Sequence, residues 1–127
     1  MSFFSLLYIS IGASLGAILR YFLGLFLNGI FPSIPLGTLA SNILGGFLMG
    51  VFLGIAKMYP LIPEAFRLAV ATGFLGGLTT FSTFSAELFT LLSFQQYFFS
   101  ISIIVAHVLG SVIATFLGVF SVKYFLV

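Results

Sequence analysis

The stretch GFLGGLTTFSTFS, Gly73 to Ser85, decides how this chain is read. It sits in the middle of an apolar run from Ala65 to Phe94, long enough for a helix to cross a bilayer, which takes about 20 residues. Gly76, Gly77, Thr79 and Thr80 are poor helix formers in close succession, so a break in the helix is expected at mid-span. Such a break frees carbonyls and amides that only protein, water or an ion can satisfy within hydrocarbon. In transporters, freed carbonyls coordinate Na⁺ and freed amides face anions. Beyond the break, Phe81 and Phe84 at i, i+3 share one helix face, with Ser82 and Ser85 forming a hydroxyl stripe beside them.

Outward from this stretch, the chain offers three more spans, Phe3 to Phe31, Leu36 to Ala56 and Tyr97 to Val127. Pro32 and Pro35 mark the first connection and Pro60 and Pro63 the second, as residues that end helices should. The third connection falls around Ser93 to Gln96. Continuous apolar runs, without polar–apolar alternation, favour helices over a membrane β-barrel. The expected fold is therefore an all-α integral membrane protein with four transmembrane helices, the third broken in the middle, residues 1–127 forming a single domain. Four helices pack without a central hole, so a transport pathway would form most easily at a subunit face, and oligomerisation is expected.

Of 127 residues, 61% are hydrophobic and 5% charged, against roughly a quarter charged in a soluble domain. With a net charge of only +2 there is no nucleic-acid footprint. The chain has no Cys, which excludes thiol chemistry and disulfides. Its N-terminus lacks the basic region and cleavage site of a signal peptide and reads as the first span. Lys57, Arg67 and Lys123 fall on the side of the termini and Arg20 on the other, so the positive-inside rule favours cytoplasmic termini.

Small residues recur at helical spacing: Gly12, Gly16, Arg20 and Gly24 on the first span, Gly46, Gly50 and Gly54 on the second. Such stripes let helices approach closely in lipid. On the fourth span His107, Ser111, Ala114, Thr115 and Gly118 form a small, polar face that belongs against protein or water. Asn42, one turn after Thr38, either locks two helices together or donates to a dehydrating anion. His107 is the only His, which argues against an imidazole-based metal site and leaves polar packing or lining a pathway. Glu87 near the end of the third span reads as vestibule-facing, and Arg20 as either snorkelling or attracting anions at a vestibule. Aromatic rings have positive edges. Edge-on Phe81 and Phe84 beside hydroxyls would suit a small anion, held firmly enough to enter and weakly enough to leave; simple packing is the alternative.

Three stretches together, GASLGAILRY (Gly12 to Tyr21), GTLASNILGGFLMG (Gly37 to Gly50) and GFLGGLTTFSTFS, resemble the Fluc family of bacterial fluoride channels along the whole chain. The resemblance implies an antiparallel, dual-topology homodimer in the cytoplasmic (inner) membrane that lets fluoride leave the cell passively, with two pores and membrane lipid around it. It places Asn42, Phe81, Phe84 and Ser111 along the fluoride path, with Thr38, Ser82, Ser85, His107 and Thr115 as secondary polar contacts and Arg20 at the pore mouth. It further implies a structural Na⁺ at the dimer centre, held by the backbone carbonyls of Gly76 and Thr79.

The competing reading is a proton-coupled small multidrug exporter of dual topology, which needs a carboxylate in the first span; this first span has none. An accessory subunit would explain the glycine stripes but not the third span. No nucleophile and base pair suggests an enzyme.

Overall fold

The computed structural model describes residues Ser2 to Leu126. Helix α1 runs Phe3–Leu27, α2 Leu36–Met58, α3 Glu64–Arg67, α4 Gly76–Leu78, α5 Phe81–Ser93 and α6 Tyr97–Phe125, with π-helical winding over Leu68–Leu75 joining α3 to α4. Taken with α3 to α5 as one interrupted span, this gives four helices long and apolar enough to cross a membrane, of 25, 23, 30 and 29 residues. The four expected spans are all present, and there is no strand among the described residues. The boundaries differ at the ends. The first helix stops at Leu27 because the chain turns through Asn28 to Ser33, the second continues to Met58, and the expected end of the fourth at Val127 lies outside the described residues.

The first and third turns are closed by specific groups. Pro35, at the N-cap of α2, has no side-chain acceptor to offer, and Asn28 substitutes for it: its Oδ1 accepts from the Gly37 and Thr38 amides at 2.8 and 3.3 Å. After α5 the chain reverses through Gln95 in the left-handed region, φ 56°, with Gln96 N–H bonding Leu91 O at 2.9 Å. This is the αL helix ending usually built on Gly.

Packing joins α2 to α6 and α1 to the first half of the third span. At the α2–α6 crossing a Cβ on Gly50 would collide with the Thr115 carbonyl, and one on Gly118 with the Phe47 carbonyl. Backbone lies directly on backbone there, as small residues permit in lipid. Gly12 and Gly16 do the same for α1 against Ala69 and Phe74. The two halves of the third span thus have different neighbours: the π-helical stretch and α4 pack on α1, whereas α5 packs on α6 around Phe84, Leu91 and Ile103. The break is where the span changes partner.

The interruption falls at Thr79 and Thr80, just after the glycine pair, with extended backbone at φ −88°, ψ 153° and φ −149°, ψ 121°. The π-helical winding before it has no counterpart in the sequence reading. LAVATGFL is an apolar run that an α-helix accommodates equally well.

Candidate functional site

A break costs the backbone its i to i+4 hydrogen bonds, and several of the groups it frees find other partners. In an unbroken helix the Thr80 amide would bond Gly76 O. Here it donates instead to Asn42 Oδ1 at 2.8 Å, while Asn42 Nδ2 donates to Thr80 O at 3.0 Å. The side chain of Asn42 therefore pairs with both backbone groups of Thr80, as a neighbouring strand would. Thr83 N–H, the helical partner of Thr79 O, is taken by the Thr80 hydroxyl at 3.1 Å, which caps α5. Gly77 O is met by the Nε of Arg20 at 3.0 Å, a charge-assisted bond suited to the negative end of a half-helix.

Gly76 O and Thr79 O are thus deprived of their helical donors. No group of three or more His, Cys, Asp or Glu is gathered among the described residues, so a cation at this place would rely on backbone oxygen, the ligand type hard cations accept. The two carbonyls fit the chemistry of Na⁺, but one chain supplies too few of them. Gly76 is exposed, and a Cβ there would meet nothing closer than Ala71 O at 3.8 Å. The broken backbone is open on the side away from its own chain.

Beside the break runs a groove of about 450 Å³, bordered by Asn42, Thr79, Thr80, Phe81, Phe84, His107, Ser111 and Thr115. The Phe81 and Phe84 rings meet edge to face, centroids 5.5 Å apart at 67°. Phe84 also lies on the His107 ring at 4.6 Å. Phe84 is 5% exposed and His107 5%, whereas Phe81 is 76% exposed: two rings of one helix turn, one in the core and one on the outside.

Polar groups along the groove divide into engaged and free. Thr115 Oγ1 is shared between Gly46 O at 2.9 Å and Ser111 O at 3.0 Å, tying α6 to α2. Both amide hydrogens of Asn42 are used, one by Thr80 O and one by His107 Nδ1 at 2.9 Å. The Ser111 hydroxyl and His107 Nε2 lack partners among the described residues and are not sealed from the groove.

A second cavity of about 280 Å³ is bordered by Arg20, Asn28, Thr38, Thr80 and Thr83. Thr80 borders both cavities, so the break stands between them. Of the residues singled out from sequence, Arg20 and Thr38 belong to this second cavity and Asn42, Phe81, Phe84, His107, Ser111 and Thr115 to the groove. Ser82 and Ser85 are exposed; Ser82 lies 3.3 Å from the Thr80 hydroxyl, and neither borders the groove.

Glu87 differs from its expected vestibule position. Both carboxylate oxygens are buried and form no hydrogen bond, with the Thr38 side chain as the neighbouring polar group. Helix α5 turns this face toward the protein: Thr83, Phe84, Glu87, Leu88 and Leu91 form its covered side, while Phe81, Ser82, Ser85 and Phe89 are among its exposed positions.

Sequence reasoning missed Thr80 as the pivot between the cavities and Asn28 as the cap of α2. The first left a signal, a Thr three residues before Thr83 where a helix restarts, the spacing of a side-chain cap. The second left only an Asn–Gly turn.

Residues 7–119 match the family described as CrcB-like protein, Camphor Resistance (CrcB). The chain is 57% identical over 110 residues, 87% of its length and 85% of the relative's, to the "Fluoride-specific ion channel FluC" of Desulfovibrio desulfuricans. It is 48% identical over 124 residues, 98% of its length and 97% of the relative's, to the protein of the same name from Nitrosospira multiformis. A third relative so named, from Tolumonas auensis, is 51% identical over 115 residues, 91% of each chain. With its helix break, its four spans and this likeness running almost from end to end, the chain belongs to the CrcB-like protein family.

Proposed function

We propose that this chain is a subunit of a fluoride-selective channel that lets cytoplasmic fluoride leave the cell passively across the bacterial inner membrane, the four-span chain acting as one channel domain without enzymatic activity. The observation that carries the reading is the groove at the helix break, where a free hydroxyl and a free ring nitrogen stand beside two edge-to-face phenylalanines. Neutral donors and ring edges replace lost water without holding an anion as a buried guanidinium would. The names of the relatives supply the identity of the anion. Arg20 and Thr38 border the vestibule, and Asn42 and Thr115 brace the walls.

The groove is open in one chain, and an antiparallel homodimer closes it. Exposed broken backbone at Gly76, with Phe81, Ser82 and Ser85 beside it, is costly against hydrocarbon, so a second copy is the fitting cover. A two-fold axis near Gly76 would bring four carbonyls together, from Gly76 and Thr79 of each copy, and Na⁺ there would neutralise their dipoles and hold the two breaks together. The proton-coupled exporter has nothing to support it: α1 carries no carboxylate.

The test is fluoride efflux from liposomes with a K⁺ shunt. Fast, electrogenic efflux that excludes chloride and needs no proton gradient supports the channel; efflux that requires a proton gradient overturns it. Loss of the dimer on exhaustive replacement of Na⁺ by a large organic cation supports the cation site, and an unchanged dimer after prolonged exchange contradicts it.

A further inference from the structure

The orientation of the Asn42 amide is fixed by Thr80 from both sides, since Oδ1 accepts the Thr80 N–H and Nδ2 donates to the Thr80 carbonyl. A flipped amide would set donor against donor and acceptor against acceptor. The second Nδ2 hydrogen then points at His107 Nδ1, 2.9 Å away. An amide nitrogen only donates, so Nδ1 must accept, and a neutral imidazole whose Nδ1 accepts carries its proton on Nε2. Nε2 has no partner among the described residues, on a ring that lines the groove between Phe84 and Ser111.

We infer that Asn42 is a positioning residue for His107: it fixes His107 as the Nε2–H tautomer, so that His107 Nε2–H is a nitrogen donor offered to the anion beside the Ser111 hydroxyl. This rests on the fluoride reading of the groove. It differs in what it asks of Asn42, whose two amide hydrogens are already used. It also connects the backbone of the break at Thr80 to the donor through one side chain, so the geometry of the break sets the proton position in the pathway.

Because His107 is the only histidine, ¹⁵N-histidine labelling of the full-length protein in nanodiscs gives one assigned ring. The expected spectrum has a protonated Nε2 and an unprotonated Nδ1, and NaF, unlike NaCl, moves the Nε2–H resonance. Asn42→Leu should scramble the two nitrogen signals. Where that variant fails to fold, flux through two others decides: His107→Leu loses about tenfold in fluoride efflux, the equivalent of one hydrogen bond, and His107→Gln, which both accepts and donates, recovers part of that loss. A proton on Nδ1, a ring unmoved by NaF in protein that conducts fluoride, or equal flux in the Gln and Leu variants would overturn the inference. A protein with the Nε2–H tautomer that conducts no fluoride overturns the channel reading and the donor role with it, leaving the tautomer assignment standing.

Discussion

Arg20 reaches from the first span to the carbonyl of Gly77, 57 residues along the chain, and closes on it at 3.0 Å. The guanidinium therefore does two things. It borders the second cavity as a positive group, and it terminates the half-helix whose last carbonyls the break has exposed. Neither an arginine snorkelling to the interface nor a simple anion attractor has this second role.

Arg20→Gln should accordingly lower thermal stability in detergent by about 1.5–3 kcal/mol, the range for a hydrogen bond to a charged group. Arg20→Lys keeps the charge but not the planar fork and should recover only part of that loss. Melting curves of the two variants check this; equal stability of both with the parent protein would show that the carbonyl is served otherwise.

Asn42→Asp preserves the shape of the side chain and removes both donors. A carboxylate would then oppose Thr80 O and His107 Nδ1, which now accept at 3.0 and 2.9 Å. A loss of about 2–4 kcal/mol is expected, together with failed conduction, because buried acceptors are left unpaired. Melting and efflux on the same preparation measure both.

Gly50 and Gly76 separate packing within the chain from the packing between copies that the proposed dimer would make. Gly50→Ala drives a methyl into the Thr115 carbonyl and should destabilise the fold by about 1–3 kcal/mol. Gly76→Ala finds open space in its own chain, so the subunit should fold normally while the dimer weakens. Size-exclusion profiles and melts of the two variants should show opposite patterns.

Glu87 holds a carboxylate with two buried, unpartnered oxygens. Glu87→Met replaces two unpaired polar oxygens by an apolar side chain of similar length and should raise stability by about 1–3 kcal/mol. A lower melting temperature would mean that the carboxylate has a partner outside its own chain, as the proposed dimer would supply.

Much of this was legible in the sequence. Four prolines placed two of the connections, and apolar runs gave four spans because hydrocarbon permits little else. The break could be read from Gly76, Gly77, Thr79 and Thr80 because poor helix formers in succession are a local signal. The occupancy of the Asn42 amide was not legible, since Thr80 lies 38 residues away and His107 65, and only the fold sets which hydrogens remain free. Glu87 was misplaced for a similar reason. Its position along the helix was right, but which way α5 turns depends on its packing against α6.

Phe81 gives the most direct test of the account. Its ring is 76% exposed in the single chain and lies 5.5 Å from that of Phe84, so Phe81→Ile removes a ring edge from the groove with little disturbance to the subunit's core. Fluoride efflux from liposomes carrying Phe81→Ile, beside a size-exclusion profile of the same protein, is the measurement. A dimer of normal size that no longer conducts is the result expected, and a dimer that conducts at the parent rate would contradict the claim that ring edges carry fluoride past the helix break.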